Sequence, residues 1–288
     1  MTRPTPYDGS PALFPSGDGD LAYLDTGPPP TGTPAPALVL LHPGWTDHTL
    51  WREVVPPLAA RHRVLAPDAR GHGASANASR PFRQCDDLAA LLHHLGTGPA
   101  VLIGCSMGAD LAVATALEHP GLVHALVVSG GGTGQNADLR TPWAVENAAR
   151  QQAALAAGDL AAWAEHFAYG ALGPHRQPAD LDPELLEHVR TAGLRTLTKH
   201  TPDEPDHHLP VPDLAARAAG LPVPVLAVNG ALDAPELAAH ARHVAASASW
   251  GRTVTLPDAG HFAPMERPGE FVREVEEFLR EAGAGRGR

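Results

Sequence analysis

Two cysteines, Cys85 and Cys105, are too few for a disulfide framework, and neither stands at a metal-ligand spacing. Lysine is nearly missing: Lys199 is the only one, and arginine supplies the rest of the 21 basic residues. Charged residues make up 18% of the 288, the net charge is −11, and no basic cluster is visible. That balance excludes nucleic acid as a partner and disfavours an anionic membrane surface. No apolar run reaches the roughly 18 residues of a membrane-spanning helix. The stretch Met1 to Gly19 lacks both a cationic start and an apolar core, so it does not read as a signal peptide, and a cytoplasmic location is expected. There is no H-E-x-x-H, no C-x-x-C and no glycine-rich phosphate loop, so neither a metal nor a cofactor is expected. The expected partner is a small-molecule substrate. Nothing in the sequence speaks to oligomeric state.

What is present is a core. Apolar residues are 43% of the chain, and glycine and proline are frequent enough for many loops. Short apolar runs read as strands at Leu21–Leu24, Ala37–Leu41, Arg63–Ala66, Ala100–Ile103, Val123–Val128, Val223–Asn229 and Thr253–Leu256. Residues before Leu21 read as extended or loose, and the prolines of the 28–36 stretch exclude a helix there. Helical spacing appears at Trp51–Ala60, at Asp86–Leu95 with Leu88, Leu91, Leu92 and Leu95 on one side, and from Gly269 to Arg280. Strands alternating with helices predict a mostly parallel α/β sheet with helices on both faces. The alternation breaks from Thr133 to Pro212, where only helical patterns occur, at 143–157, 159–171 and 183–197. The expected organisation is therefore a core in two parts, 1–132 and 213–288, with a helical cap inserted at 133–212. The cap's Trp143, Trp163, Phe167 and Tyr169 are candidates to line a substrate pocket or to glue cap to core.

The chemistry starts at Gly104-Cys105-Ser106-Met107-Gly108. The five letters alone are a weak signal, but an apolar strand precedes them and a helix follows. A sharp strand-to-helix turn exposes the serine hydroxyl and leaves no room for side chains two residues either side, which explains both glycines. It also puts Ser106 at a helix N-terminus, where free N–H groups favour a developing oxyanion. An acid, Asp233, follows the strand at Val223–Asn229, and His261 follows the last strand, so the order along the chain is Ser, Asp, His. All three stand at carboxyl ends of strands, where open α/β sheets bind ligands.

These blocks resemble the α/β-hydrolase superfamily, in its small bacterial form with a helical cap. Leu41-His42-Pro43-Gly44-Trp45 is similar to its His-Gly-x loop, and Asp68-Ala69-Arg70-Gly71-His72-Gly73-Ala74-Ser75 to its D-x-R-G-x-G-x-S loop. The likeness runs from about Leu21 to Leu279 and is weakest between Thr133 and Pro212. It implies Ser106 as nucleophile, His261 as base, Asp233 as the acid behind the imidazole, and the N–H groups of Gly44 and Met107 as oxyanion donors. Pro43 departs from the family's glycine and has no N–H to offer. Trp45 and Met107 flank the oxyanion site and are expected at the pocket.

Each residue has competitors. Asp258 is a rival acid, but it lies three residues from His261 on the same loop. The other acid position known in the family is occupied by Ser129-Gly130-Gly131, without a carboxylate. His42 and His72 are expected to make structural hydrogen bonds, as are Asp68 and Arg70, while His93, His94, His207 and His208 are expected to be solvated. The expected function is hydrolysis of small-molecule carboxylic esters or lactones by a serine triad. A carbon–carbon bond hydrolase or a cofactor-free haloperoxidase-like enzyme carries the same triad, and a non-hydrolytic binding protein is the alternative from another class. No triad member lies in the cap, so the triad is expected to stand on the core alone.

Overall fold

The computed structural model describes residues 10–29, 35–134 and 141–285. The start of the chain, part of the 28–36 loop and residues 135–140 of the expected cap lie outside them. The strands are β1 Ala12–Pro15, β2 Asp20–Asp25, β3 Leu38–Leu41, β4 Val64–Pro67, β5 Ala100–Cys105, β6 Val123–Ser129, β7 Val225–Gly230 and β8 Gly251–Leu256. They form one sheet in the order β1-β2-β4-β3-β5-β6-β7-β8. From β4 to β8 all neighbours are parallel, while β1, β2 and β4 pair antiparallel. Of the stretch before Leu21 that reads as extended or loose, Ala12–Pro15 is extended, as strand β1 in register with Asp20–Tyr23.

The helices are α1 Val55–Ala59, α2 Gln84–Leu95, α3 Met107–Glu118, α4 Pro142–Ala156, α5 Leu160–Leu172, α6 Pro183–Leu197, α7 Leu214–Arg217, α8 Pro235–Ser247, α9 Ala263–Glu266 and α10 Pro268–Gly285. Successive side chains of a strand point to opposite faces, and here both faces are covered. Leu38, Leu40, Val101 and Ile103 join a cluster with Trp51, Phe271 and Phe278. Their neighbours Val39, Leu41 and Leu102 join the other cluster, with Leu88, Leu92, Val113 and Val244. This two-sided burial makes the central strands continuous apolar runs rather than alternating ones.

Helices α4, α5 and α6 all lie between β6 and β7, within the stretch read as an insertion. They bury Ala154, Trp163 and Ala164 among themselves. They also add Ala168, Leu172, Leu186 and Val189 to the core cluster on one face of the sheet. Polar contacts fasten the same segment. Arg195 Nε donates to Asp47 Oδ2 at 2.8 Å, and Lys199 Nζ donates to the carbonyls of Gly73 and Ser75 at 2.9 and 2.5 Å. Past α6 the chain returns beside residue 82, where Phe82 N donates to His207 O and Leu209 N to Phe82 O. No helix of the described residues is long and apolar enough to cross a membrane.

Candidate active site

Strand β5 ends at Cys105 and α3 begins at Met107, so Ser106 alone makes the turn. Its backbone is at φ 55°, ψ −118°, a sparsely populated conformation that costs on the order of 1–3 kcal/mol. Its N–H donates to Ser129 O at 2.8 Å, and its carbonyl accepts from Ala109 and Asp110, which pins the strained turn. The flanking glycines are required by space. A Cβ at Gly104 would sit 2.1 Å from Gly108 O, and one at Gly108 would sit 2.0 Å from Leu41 O.

Asp233 and His261 come from the loops after β7 and β8. The His261 Nδ1 to Asp233 Oδ2 distance is 3.0 Å, and the other Asp233 oxygen accepts the Ala234 N–H at 2.7 Å. The two loops are tied to each other, since Leu232 N donates to Ala259 O and Ala231 N to Leu256 O. Burial disfavours the imidazolium of His261, but the Asp233 carboxylate, by charge and hydrogen bond, outweighs it and holds the pKa above its ordinary value; Glu266 adds to the effect. Asp258 takes no part: its side chain is 71% exposed and faces Arg267 at 3.6 Å. Where the family can carry its other acid, Gly130 sits at φ +58°, and a Cβ there would come within 2.8 Å of His261 Cε1 and Nδ1. The run of glycine after β6 therefore makes room for the Asp233–His261 pair.

Gly44 and Met107 face each other, since a Cβ on Gly44 would lie 3.8 Å from Met107 Cβ and Sδ. Met107 is the first residue of its helix, so its N–H has no intrahelical acceptor. Trp45, next to Gly44, is held at φ 61°, unusual for a bulky residue. The remaining histidines behave as expected where they are structural. His42 accepts from Ala69 N through Nε2 at 2.9 Å and contacts Pro43 O through Nδ1 at 2.8 Å. Burial pushes the His72 pKa down to about 3. Asp68 takes the N–H groups of His48 and Ala74, and Arg70 grips both oxygens of Asp87. His93, His94 and His208 are exposed, and His208 also borders the cavity described next.

Ser106, His261, Gly44 and Met107 open on one cavity of about 870 Å³. Trp45, Trp143 and Phe167 line it as well. Trp163 does not. It is 2% exposed, stacks on Phe167 with ring centroids 5.1 Å apart, and meets the edge of Trp45 at 5.5 Å. It supports two pocket walls from behind. Asp110, not among the residues expected at the site, also borders the cavity, and its Oδ1 accepts the N–H groups of Gly132 and Gly134 at 2.6 and 3.0 Å. Burial raises the Asp110 pKa, against the lowering by those N–H groups. Its position one helical turn after Ser106 was the available signal. Arg83 reaches the cavity too, but its guanidinium is already held by Asp86 and Glu118. Among the described residues, two clusters of His, Cys or carboxylate groups stand close enough to hold an ion, Cys85–Asp86–His119 and Asp47–His48–Asp68. Their ligand atoms are engaged by Arg83, Arg195 and one another, and neither cluster includes Ser106 or His261.

The family described as the alpha/beta hydrolase fold matches residues 36–268. The 2-hydroxy-6-oxononadienedioate/2-hydroxy-6-oxononatrienedioate hydrolase of Burkholderia vietnamiensis is 32% identical over 271 residues, which cover 87% of this chain and 89% of that protein. The magnesium-chelatase 30 kDa subunit of Rhodobacter capsulatus is 38% identical over 120 residues, so the match spans only 40% of either chain. Among solved structures, a thermophilic esterase from Thermogutta terrifontis is similar with a TM-score of 0.72 at 26% identity, over 95% of this chain and 99% of that one.

Proposed function

The chain belongs to the α/β-hydrolase superfamily, and from that premise we propose that it is a serine hydrolase of small, neutral carboxylic esters or lactones. The observation that carries the reading is the strained Ser106 turn opening on the same cavity as the Asp233–His261 pair. In this reading Ser106 Oγ attacks the acyl carbon while His261 Nε2 takes its proton. Asp233 receives the hydrogen bond from Nδ1–H and stabilises the imidazolium. The N–H groups of Gly44 and Met107 hold the tetrahedral oxyanion. The proton passes from His261 to the leaving alkoxide, and an acyl-enzyme remains on Ser106. Water, deprotonated by His261, then releases the acid and restores the serine. Residues 133–212 act as the cap, whose Trp143 and Phe167 wall the acyl side of the cavity. No cofactor enters any step.

Charge favours a neutral substrate. Apart from histidine, Arg83 is the cation among the described residues lining the cavity, and two carboxylates already neutralise it. Asp110 and Asp206 line the same space and repel an anion. A second reading, carbon–carbon bond hydrolysis of a dicarboxylate, is favoured by the 32% identity to the dioate hydrolase. The two are separated by one panel: p-nitrophenyl butyrate, a simple lactone, the mono-p-nitrophenyl ester of glutaric acid, and a 2-hydroxy-6-oxo-dienedioate. Preference for the first two, with fluorophosphonate labelling mapped to Ser106, is the expected outcome. Preference for the dioate moves the assignment to the second reading. Absence of labelling, or labelling of another serine, removes the nucleophile from both.

A further inference from the structure

The inserted segment reaches the loop that carries His261. Arg176, just past α5, is buried and pairs with Glu266 at 2.5 Å. Glu266 ends α9, five residues after His261, and its side chain is only 4% exposed. Its second oxygen accepts the N–H of Gly260, the residue before His261, at 2.9 Å. The same stretch of the insertion presses on the other loop: a Cβ at Gly173 would sit 1.8 Å from the carbonyl of Leu232, next to Asp233. So one short piece of inserted chain braces both the acid and the base loops.

We infer that Glu266 is a positioning residue for His261, and that Arg176 of the insertion is the counter-charge that keeps this buried carboxylate in place. The inference rests on the reading of His261 as the triad base. A buried charge survives only with a partner, and Glu266 has one in Arg176. Arg176 Nε also donates to Leu172 O at 2.8 Å, which fixes the guanidinium at the end of α5. What the pair supplies is a carboxylate held against the backbone of the His261 loop, from where its charge favours the imidazolium. Asp233 faces the ring from the loop after β7, Glu266 acts from α9, and Cys105 Sγ at the end of β5 donates to the His261 carbonyl. The ring of Phe262 lies 5.4 Å away. Of these, the two carboxylates favour the protonated imidazole, and burial opposes them.

The experiment separates charge from scaffold. Glu266→Gln keeps an oxygen for the Gly260 N–H and removes the charge; Glu266→Asp keeps the charge; Arg176→Gln removes the counter-charge and Arg176→Lys restores it. Each full-length variant is read in two ways, by NMR titration of the His261 Cε1–H and by the pH dependence of kcat/KM on p-nitrophenyl butyrate. In both glutamine variants the His261 midpoint is expected to move to lower pH by at least about 0.3 unit, a twofold change in the ratio of protonated to neutral imidazole. The Asp and Lys variants are expected to stay near the native midpoint. An unmoved midpoint in Glu266→Gln, or an equal shift in Glu266→Asp, overturns the role of Glu266. An upward shift in Arg176→Gln overturns that of Arg176. Should Glu266→Gln fail to fold, the Arg176 pair carries the test alone. If the NMR midpoint moves while the kcat/KM limb does not follow, the effect of Glu266 on His261 stands and the reading of His261 as the triad base fails instead.

Discussion

The sheet and the inserted helices are held by different physics. Along β3, β5 and β7 every residue is buried, and side chains leave in alternation to the two apolar clusters. The insertion shares one of those clusters, but charges and hydrogen bonds fix its seat: Arg195 on Asp47, Lys199 on two carbonyls, Arg176 on Glu266, and His200 Nε2 against Gly71 O at 2.9 Å. Apolar burial is strong and non-directional; a charge-assisted hydrogen bond is weaker in net terms and strict in geometry. The sheet therefore supplies the stability that can hold Ser106 in a costly conformation. The clamps supply alignment of the cavity wall and, through Arg176, of the His261 loop. Ser106, Asp233 and His261 all lie outside the insertion, yet the core does not stand apart from it: replacing residues 133–212 by a linker would strip Glu266 of its partner.

Substitutions on the core side of this contrast should act on chemistry, and the largest effect is expected at Asp233. Asp233→Asn leaves the shape and removes the carboxylate behind the imidazole, so kcat should fall by about 10³ to 10⁴ with folding intact. Asp258→Asn should change kcat by less than about tenfold, since that side chain is solvated. Steady-state kinetics on p-nitrophenyl butyrate rank the two, and the reverse ranking would move the acid to Asp258.

Gly130→Ala comes next. The added methyl would meet His261 at 2.8 Å, in a backbone conformation that disfavours any side chain. Either the imidazole turns away from Asp233 or the loop after β6 shifts. We expect kcat to drop about 10- to 100-fold, with a loss of about 1–3 kcal/mol in stability. Native activity in this variant would mean that the glycine run serves only the turn.

Much of this arrangement was legible in the sequence, and the exceptions have a physical pattern. Ser106 stands out in the sequence because its turn forbids side chains at two fixed neighbours, a constraint written within five residues. Asp233 and His261 stand out because strand ends are local events, and the structure brings these two within 3.0 Å of each other. Strand β1 was missed because its four residues are specified by pairing with β2 rather than by their own pattern. Trp163 was misplaced because a 3.6-residue period shows that a helix face is buried, without telling whether it faces a cavity or a neighbouring helix. The Arg176–Glu266 pair spans 90 residues of chain, and no local signal links its members.

The insertion side of the contrast should respond to pH and report on binding. Asp47 is buried, which alone would raise its pKa, but hydrogen bonds from Thr49 and the charge of Arg195 outweigh that and lower it. Its ionised form therefore stabilises the native state above the unfolded-state pKa, and that contribution fades as pH falls through the depressed folded value. Arg195→Ala should cost about 1–3 kcal/mol near pH 7, as a buried carboxylate loses a partner. The gap from the parent should close as Asp47 takes up its proton in acid. Urea unfolding at a series of pH values from 7 into acid measures both; a gap that does not narrow as pH falls would assign the loss to packing of the arginine stem.

The smallest effect is expected at the single lysine. Lys199 follows α6 and ties it to the loop containing Gly73 and Ser75, and Asn77 Nδ2 in turn donates to the Lys199 carbonyl at 2.7 Å. Burial lowers the Lys199 pKa, but the group stays cationic at neutral pH because its ordinary value is far above 7. Lys199→Met keeps most of the stem and removes the donor, so two carbonyls lose one shared partner at a cost of about 1 kcal/mol. The next residue, His200, packs edge-on to Trp45, and Trp45 meets Trp163 of α5. Loosening the tether should therefore reach the pocket through Trp45 rather than through the triad. The expected signature is a KM for a bulky ester raised about two- to threefold, an unchanged kcat on p-nitrophenyl acetate, and a Tm lowered by a few degrees. A fall in Tm with no change in KM would make the lysine a bolt of the fold only. A fall in kcat on the small acetate would show that the clamps, and not the sheet, set the geometry of the chemistry.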